Sequence, residues 1–280
     1  MPGLQLWLDK QKSIVEYVRS INDQQSDEIR YLWEADGHGI SEPGGTDDIV
    51  DPCNGPREWF EYGPLLDTRW GQGCIYNAEC PTGINSIYFP TLPCDDDIRC
   101  GHTPTGCVAT TMLQIMNYYE SPSPNSWHLL QERYRFIEGF VDDFNLLGAD
   151  EIASMMREVG ESVDMNYGCS DSGATTADIA DALEADYGYA NGGSYEDYSY
   201  PKLAYDIRLG KPVVLRAESN GEGHAWVCDG YKGYNSCFGG FSYEHMNWGW
   251  NGSWNDWYST WNPSDNNFDT DRKMIVNITP

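Results

Sequence analysis

The chain carries nine cysteines, and this odd number limits how it can fold, because at least one thiol must stay outside any internal disulfide. If a single cysteine is kept free for chemistry, the other eight are enough for four disulfides. Such a framework is typical of an oxidising compartment, outside the cell or in a periplasm. The sequence does not give the pairing, and the local closures Cys74–Cys80, Cys94–Cys100 and Cys228–Cys237 are guesses at it.

The charge balance excludes one class of partner. The 280 residues include 17 Lys and Arg against 44 Asp and Glu, a net charge of −27, which phosphate backbones would repel. We therefore expect no nucleic acid partner. No apolar window approaches the roughly 18 residues of a membrane span, so we expect no membrane insertion either.

Local composition divides the chain in two. Residues 4–22 have the loose apolar face of a helix, and the Gly- and Pro-rich residues 34–56 indicate a linker. We expect residues 57–280 to form the folded domain. The first residues lack the charged segment and apolar run of a signal peptide, so we expect the chain to start downstream of a removed signal.

The order of the predicted elements indicates the fold class. Val108, Met112, Ile115 and Tyr119 form one stripe of a helix that begins near Cys107. A helical part at about 100–210 precedes a strand-rich part at about 211–280, which predicts an α+β fold with helices packed on an antiparallel sheet. We expect further helices at about 150–159, 176–187 and 200–209, and strands at 212–215, 224–230, 244–248 and 274–278.

Cys107 is the candidate nucleophile. A thiol reacts as the thiolate, which is stabilised by the unpaired N–H groups of a helix N-terminus, and the pattern puts such a terminus at Cys107. The small residues Thr105 and Gly106 leave its approach open. The alternative is a buried or disulfide-bonded cysteine.

His224 is the candidate base among five histidines. It follows Gly223 and opens an apolar strand, so it could face a cleft while the strand anchors it. The alternative is a structural histidine.

Two other motifs supply supporting groups. The Asn247 side chain could accept a hydrogen bond from the histidine, with Trp248 shielding that bond, although a Trp-rich core turn would look the same. Gln72 lies between two glycines and could join the Cys107 N–H in stabilising an oxyanion, although such a Gln is usually a surface residue. The order Gln, Cys, His, Asn-Trp is the order of papain-like enzymes.

Together these motifs resemble the streptopain family of bacterial cysteine proteases, peptidase family C10. The resemblance covers about residues 63–280. The matching stretches are Trp70-Gly71-Gln72-Gly73, Thr105-Gly106-Cys107-Val108-Ala109, Gly223-His224-Ala225 with Asp229-Gly230, and Asn247-Trp248-Gly249-Trp250.

The resemblance implies a papain-like fold, with the cleft between a helical and a β subdomain, and secreted endopeptidase activity without a cofactor. It implies that Cys107 is the nucleophile, His224 the base and Gln72 the oxyanion donor, and that Asn247 and Trp248 position the histidine. Family members are made as zymogens, so residues 1–56 would be a propeptide remnant with a processing linker. Protein or peptide substrates and the chain's own propeptide, as inhibitor, are the implied partners.

Three other interpretations stay open. The aromatic run from Tyr243 to Trp261 could make a carbohydrate- or protein-binding module without catalysis. Cys94, Cys100, His102 and Cys107 could form a zinc cluster, although their spacing is irregular. The acidic runs 95–97 and 265–271 could bind calcium, although solvated loops are the commoner case.

Overall fold

The structure, a computed structural model, describes residues 58–82, 84–86, 89–92, 94, 100–123, 126–134, 136–137, 140–141, 146–235, 241–263 and 266–280. The predicted N-terminal helix, the predicted linker, Cys53 and Cys237 lie outside these residues. So do the acidic run 95–97 and part of the run 265–271.

Helices and short strands occupy the first part of the described chain, and longer strands the second. The helices are α1 Cys107–Tyr119, α2 Leu146–Ser162, α3 Asp178–Ala185 and α4 Tyr200–Arg208, with one 3-10 turn at Trp127–Leu129. The strands are β1 Glu58–Tyr62, β2 Ile84–Ser86, β3 Phe89–Leu92, β4 Phe136–Ile137, β5 Phe140–Val141, β6 Ser194–Asp197, β7 Val213–Ser219, β8 Glu222–Asn235, β9 Phe241–Asn247, β10 Asp256–Tyr258 and β11 Thr270–Val276.

Seven strands form one antiparallel sheet in the order β10-β9-β8-β7-β11-β6, with β1 also paired to β8. Strand β8 has 14 residues and pairs with β7, β9 and β1. Its first half pairs with β7, and its second half pairs with β9 and β1. The start of β8 therefore lies at a different end of the sheet from β1.

Both faces of the central strands are buried. Successive side chains of a strand point to opposite faces, and here each set enters a different apolar cluster. Val214 and Val227 join the larger apolar cluster, which includes α1, α2 and α3. Leu215 and Trp226 join a second cluster that contains α4. The sheet thus lies between three helices on one side and α4 with an aromatic layer on the other.

Helix α1 is the central helix of the domain. Every residue from Val108 to Met116 is buried, not only those of the predicted stripe. A helix buried on all sides needs small or uncharged polar side chains where its neighbours come close. The buried Thr110 is one such side chain, and its hydroxyl donates to the Gly106 carbonyl at 3.0 Å.

The predicted α+β class, with helices packed on an antiparallel sheet, is confirmed. Four of the five predicted helices and all four predicted strands are present with shifted ends, and the fifth helix, at residues 4–22, lies outside the described residues. The structure adds β1 and β6 from earlier in the chain to the main sheet, so the order is not simply helices and then strands. All four residues of β6 are exposed or only half-buried, which explains why no apolar pattern predicts it.

The guessed disulfide pairing is wrong. Cys74 is bonded to Cys100 and Cys94 to Cys169, over sequence separations of 26 and 75 residues. Cys80 is a buried thiol, and the Cys228 thiol donates to the Gly230 carbonyl at 3.6 Å, so a full set of four disulfides is also ruled out. The reason is spatial. The folded chain brings the Cα of Cys169 to 5.2 Å from that of Cys94 and the Cα of Cys100 to 5.4 Å from that of Cys74, and local sequence spacing does not reveal either approach.

Candidate active site

Cys107 is the first residue of α1 and is partly exposed. Burial raises the pKa of its thiol, while the N–H groups of Ala225, Cys107 and Val108 and the charge of Arg216 lower it in part. The helix end therefore supplies donors that favour the thiolate, as the sequence predicts. These donors lower the pKa of Cys107, but burial raises it by more.

Gly106 gives α1 its starting geometry. Its φ of +86° lies in the left-handed region, where glycine is preferred. A Cβ at this position would lie 2.6 Å from the Met165 sulphur and 2.9 Å from the Ser172 carbonyl oxygen. The chain can therefore turn into the helix here only without a side chain, and this brings Cys107 to the surface of a cleft.

His224 is the third residue of β8 and is buried. Its Nε2 lies 2.9 Å from the main-chain oxygen of Trp248. A carbonyl can only accept, so Nε2 carries the hydrogen, and the neutral ring keeps its lone pair on Nδ1. Burial lowers the pKa of His224 to about 4, opposed in part by this hydrogen bond.

An aromatic layer surrounds the imidazole. The Trp250 ring stacks on it with centroids 4.8 Å apart and an interplanar angle of 29°. Trp226, Phe268 and Trp248 follow at 5.8, 5.7 and 6.2 Å. Trp250, which lines the cleft, is the nearest of these four rings, whereas Trp248 is fully buried.

Asn247 does not hold the histidine by its side chain as expected. Its Nδ2 donates to the Thr68 carbonyl at 2.6 Å, and its Oδ1 accepts from the Gly249 N–H at 3.4 Å. The main-chain carbonyl of the next residue, Trp248, occupies the position at His224 Nε2 instead. Asn247 therefore acts on a different part of the site.

That part is a strap, residues 65–73, which carries Gln72 from the sheet to the start of α1. The first two N–H groups of the strap donate to the main-chain and side-chain oxygens of Asp229, at 2.9 and 3.0 Å. Asp229 lies where a bulge interrupts the pairing of β8 with β9. At the other end, the Thr105 N–H donates to the Gln72 carbonyl at 3.0 Å.

One cleft of about 660 Å³ brings the main candidates together. Cys107, His224 and Gln72 all line it, and so does Trp250. Asn247 and Trp248 lie behind this surface and are buried. The arrangement joins a partly exposed thiol, an imidazole of fixed tautomer and a side-chain amide around one space.

The two walls of the cleft come from different parts of the chain. Residues 170–176 form the wall on the helical side, and Tyr195, Arg216 and Asp271 contribute to the wall on the sheet side. Sequence reasoning missed Arg216, which lies in an ordinary strand pattern without a motif. It also passed over Trp250, although the Asn-Trp-Gly-Trp motif contains it.

The zinc interpretation is wrong, because the sulphurs of Cys94 and Cys100 are used in disulfides. Over the described ranges, no group of three or more His, Cys, Asp or Glu side chains could hold a metal ion. Within those same residues, no helix has the length and apolar character needed to cross a membrane.

Two solved structures share this fold. Interpain A, an active cysteine protease of Prevotella intermedia, matches with a TM-score of 0.56 and 24% identity, over 77% of this chain and 94% of that one. A fragment of prointerpain A from the same organism matches with a TM-score of 0.56 and 21% identity, over 92% of this chain and 86% of that one.

Curated relatives carry names of proteases. Streptopain of Streptococcus pyogenes serotype M1 is 27% identical over 222 residues, which cover 67% of this chain and 53% of streptopain. The thiol protease/hemagglutinin PrtT of Porphyromonas gingivalis is 26% identical over 260 residues, 78% of this chain and 28% of that protein. The chain thus spans about half the length of the streptopain relatives that it matches.

The sequence model of the Peptidase C10 family matches residues 70–258, which contain Gln72, Cys107, His224, Asn247 and Trp248. This match covers well over half of the chain and confirms the resemblance seen in the motifs. The chain belongs to the Peptidase C10 family.

Proposed function

We propose that the chain is a cysteine endopeptidase in which Cys107 attacks the peptide carbonyl and His224 transfers the proton. The observation that supports this most directly is the shared cleft. A partly exposed thiol at the start of α1 and an imidazole held by the Trp248 carbonyl line the same space. Nucleophilic catalysis by a thiol needs this pairing of a sulphur with an oriented base.

The reaction follows from the tautomer. Nδ1 of His224 takes the proton from Sγ of Cys107, which gives a thiolate–imidazolium pair, and the thiolate then attacks the carbonyl carbon. The resulting imidazolium returns this proton to the leaving amine, which gives a thioester on Cys107 and the free amine. Water, deprotonated by His224, then hydrolyses the thioester to the acid and restores the thiol.

The oxyanion formed in each addition step needs donors. We assign the Gln72 side-chain amide and the Cys107 N–H to this role, because Gln72 lines the cleft and the Cys107 N–H belongs to the open end of α1. Asn247 positions the strap that carries Gln72. Trp248 positions His224 through its carbonyl, and Trp250 covers the imidazole.

Residues 1–56 are proposed to belong to a propeptide that inhibits the catalytic domain of residues 57–280, with a processing site between about 34 and 56. The comparisons support this indirectly. The share of this chain that is matched rises from 77% for active interpain A to 92% for the prointerpain A fragment. Two disulfides in the described residues support secretion to an oxidising compartment, where protein or peptide substrates would be met.

Cleavage of an unstructured protein by the purified chain tests the proposal, under a mild reductant and after self-processing. Cys107→Ala and His224→Ala should each abolish cleavage, and Gln72→Ala should reduce kcat by roughly 10²-fold, as loss of one oxyanion donor does. The matched control is Cys80→Ala, which alters a buried thiol outside the cleft and should keep activity. Cleavage by the Cys107→Ala chain would contradict the proposal.

The binding-module interpretation gains no support from the aromatic run. Trp248 and Trp261 are buried, and Trp250 lies against His224. Trp254 is the large aromatic of the run that stands out from the surface, 54% exposed. We therefore propose no second function for this segment.

A further inference from the structure

Arg216 on β7 is a cation in the wall of the cleft that holds Cys107. In the sheet register it stands directly opposite Ala225 of β8, whose N–H acts on the Cys107 sulphur. It also shares a sheet face with Val214, two residues earlier, which packs into the core that contains α1. Arg216 therefore lies on the face of the sheet that packs on α1, at the point where this face becomes a wall of the cleft.

The guanidinium is held on two sides. Its Nη2 lies 2.5 Å from Glu218 Oε1, and its Nη1 donates to both the carboxylate and the main-chain oxygen of Asp271, the latter at 3.1 Å. Only 20% of the side chain is exposed. A planar fork bound in this way keeps one orientation, which a lysine ammonium would not.

Direct cross-strand pairing does not by itself favour Arg216 at this position. Its other cross-strand neighbour, directly opposite on β11, is Lys273. Like charges in such a position destabilise a sheet. Asp271 lies between the two cations, 3.6 Å from Lys273 Nζ, and Asp197 binds Lys273 at 2.6 Å. Three carboxylates, those of Glu218, Asp271 and Asp197, thus hold a cation pair at the edge of the cleft.

We propose that Arg216 is a positioning residue of the proposed peptidase, whose charge stabilises negative charge on Cys107 Sγ, and that Glu218 and Asp271 hold it for this purpose. The inference rests on the proposed function in taking Cys107 as the nucleophile. The rest of the chain makes such a cation useful, because a net charge of −27 disfavours any further anion.

Several titratable or charged groups face the cleft from the surrounding elements, and each of them acts on the Cys107 thiol when it carries a charge. They are His224 on β8, Arg216 on β7, Tyr195 on β6, Asp271 on β11 and Asp171 in the loop of the helical wall. His224 is buried and its pKa is lowered, so it is neutral at neutral pH. The charge of Arg216 then opposes the effect of burial on the pKa of Cys107.

Alkylation of Cys107 tests this without relying on proteolysis. Rates for neutral iodoacetamide and anionic iodoacetate would be measured against pH, with modification at Cys107 followed by mass mapping and Cys107→Ala as background. Both reagents consume thiolate, so each rate reports the thiolate fraction, and the iodoacetate-to-iodoacetamide ratio reports the local charge.

Arg216→Met should slow iodoacetamide about three- to tenfold at a pH where the thiol is mostly protonated, and lower the reagent ratio by a similar factor. Arg216→Lys should keep most of the iodoacetamide rate and most of the reagent ratio, because it keeps the charge. The matched control is Lys273→Met, which removes the neighbouring cation and should leave both quantities within about twofold. Thermal unfolding would show that each variant is folded.

Asp271→Asn tests the same idea in the opposite direction, and it serves if Arg216→Met does not fold. Removing this carboxylate leaves the guanidinium less neutralised, so alkylation should become faster and the reagent ratio should rise. The inference would be overturned if the folded Arg216→Met variant kept the wild-type alkylation rates and reagent ratio. If only Asp271→Asn folds, unchanged rates and an unchanged ratio in that variant would overturn it. If the variants change alkylation as expected but the wild-type chain cleaves no peptide, the result would contradict the proposed function and leave this inference standing.

Discussion

The Asn247 side-chain amide donates to the main-chain carbonyl of Thr68 across 2.6 Å, and both residues are buried. The bond joins the end of β9 to the strap that carries Gln72, four residues after Thr68. Asn247 thus supports the proposed oxyanion donor, while the Trp248 carbonyl supports the proposed base. Two neighbouring residues thus support two different groups that line one cleft.

Asn247→Ala should therefore lower kcat and the free energy of unfolding together. The substitution leaves the Thr68 carbonyl buried without this donor, which should destabilise the fold by about 1–3 kcal/mol, and it loosens the strap. The acid limb of kcat/KM should stay in place, because His224 keeps its own partner. Urea unfolding and the pH profile check this. A displaced acid limb would mean that Asn247 acts on the histidine after all.

The acid limb itself should lie well below the ordinary range of histidine. His224 must be neutral to accept the proton, and a lowered pKa means that it is protonated only at lower pH. With burial lowering this pKa from 6.5 to about 4, kcat/KM should hold through mildly acidic pH and fall towards pH 4. The measurement is kcat/KM for a substrate without titrating side chains. A midpoint near 6.5 would show a solvated imidazole.

Trp250→Ala should move that limb upwards. The indole covers the imidazole at 4.8 Å, and its loss admits water to the ring, so the main cause of the lowered pKa weakens and the pKa rises. The midpoint of the acid limb should shift towards neutral pH. Trp250→Phe, which keeps an aromatic cover, is the control and should shift it less. Identical limbs in all three proteins would remove Trp250 from this role.

Gly106→Ala should destabilise the domain by about 2–4 kcal/mol, because it combines a left-handed φ of +86° with overpacking against Met165 and Ser172. Gly173→Ala is the matched control. A Cβ there meets nothing within 4 Å, so its effect should stay within about 0.5–1 kcal/mol. Chemical denaturation gives both values. Equal losses would show that Gly106 is not constrained by its surroundings.

The sequence predicts some parts of this site well for a physical reason. The apolar period of 108–119 is strong, so the start of α1 at Cys107 follows from it, and His224 opens a strand whose apolar residues are evident. Strand β6 was not predictable, because an edge strand without buried residues carries no pattern. Sheet pairing holds it, through Tyr195 opposite Ile275.

The partner of His224 could not be read from the sequence either. Asn247 was the natural candidate, since its side chain carries an acceptor. The structure uses the main-chain carbonyl of Trp248, and every residue has such a carbonyl. The disulfides have the same limitation, because Cys94 and Cys169 are 75 residues apart and only the folded chain brings them together.

These two disulfides have a chemical consequence for the whole cleft. Cys74 directly follows Gly73 and Cys169 directly precedes Ser170, two residues that line the cleft, while their partners Cys100 and Cys94 lie close together. These parts of the cleft lining thus depend on oxidised sulphur, whereas the proposed nucleophile depends on reduced sulphur. Activity plotted against reductant strength should therefore pass through a maximum, rising as any oxidised Cys107 is reduced and falling as the two disulfides are broken.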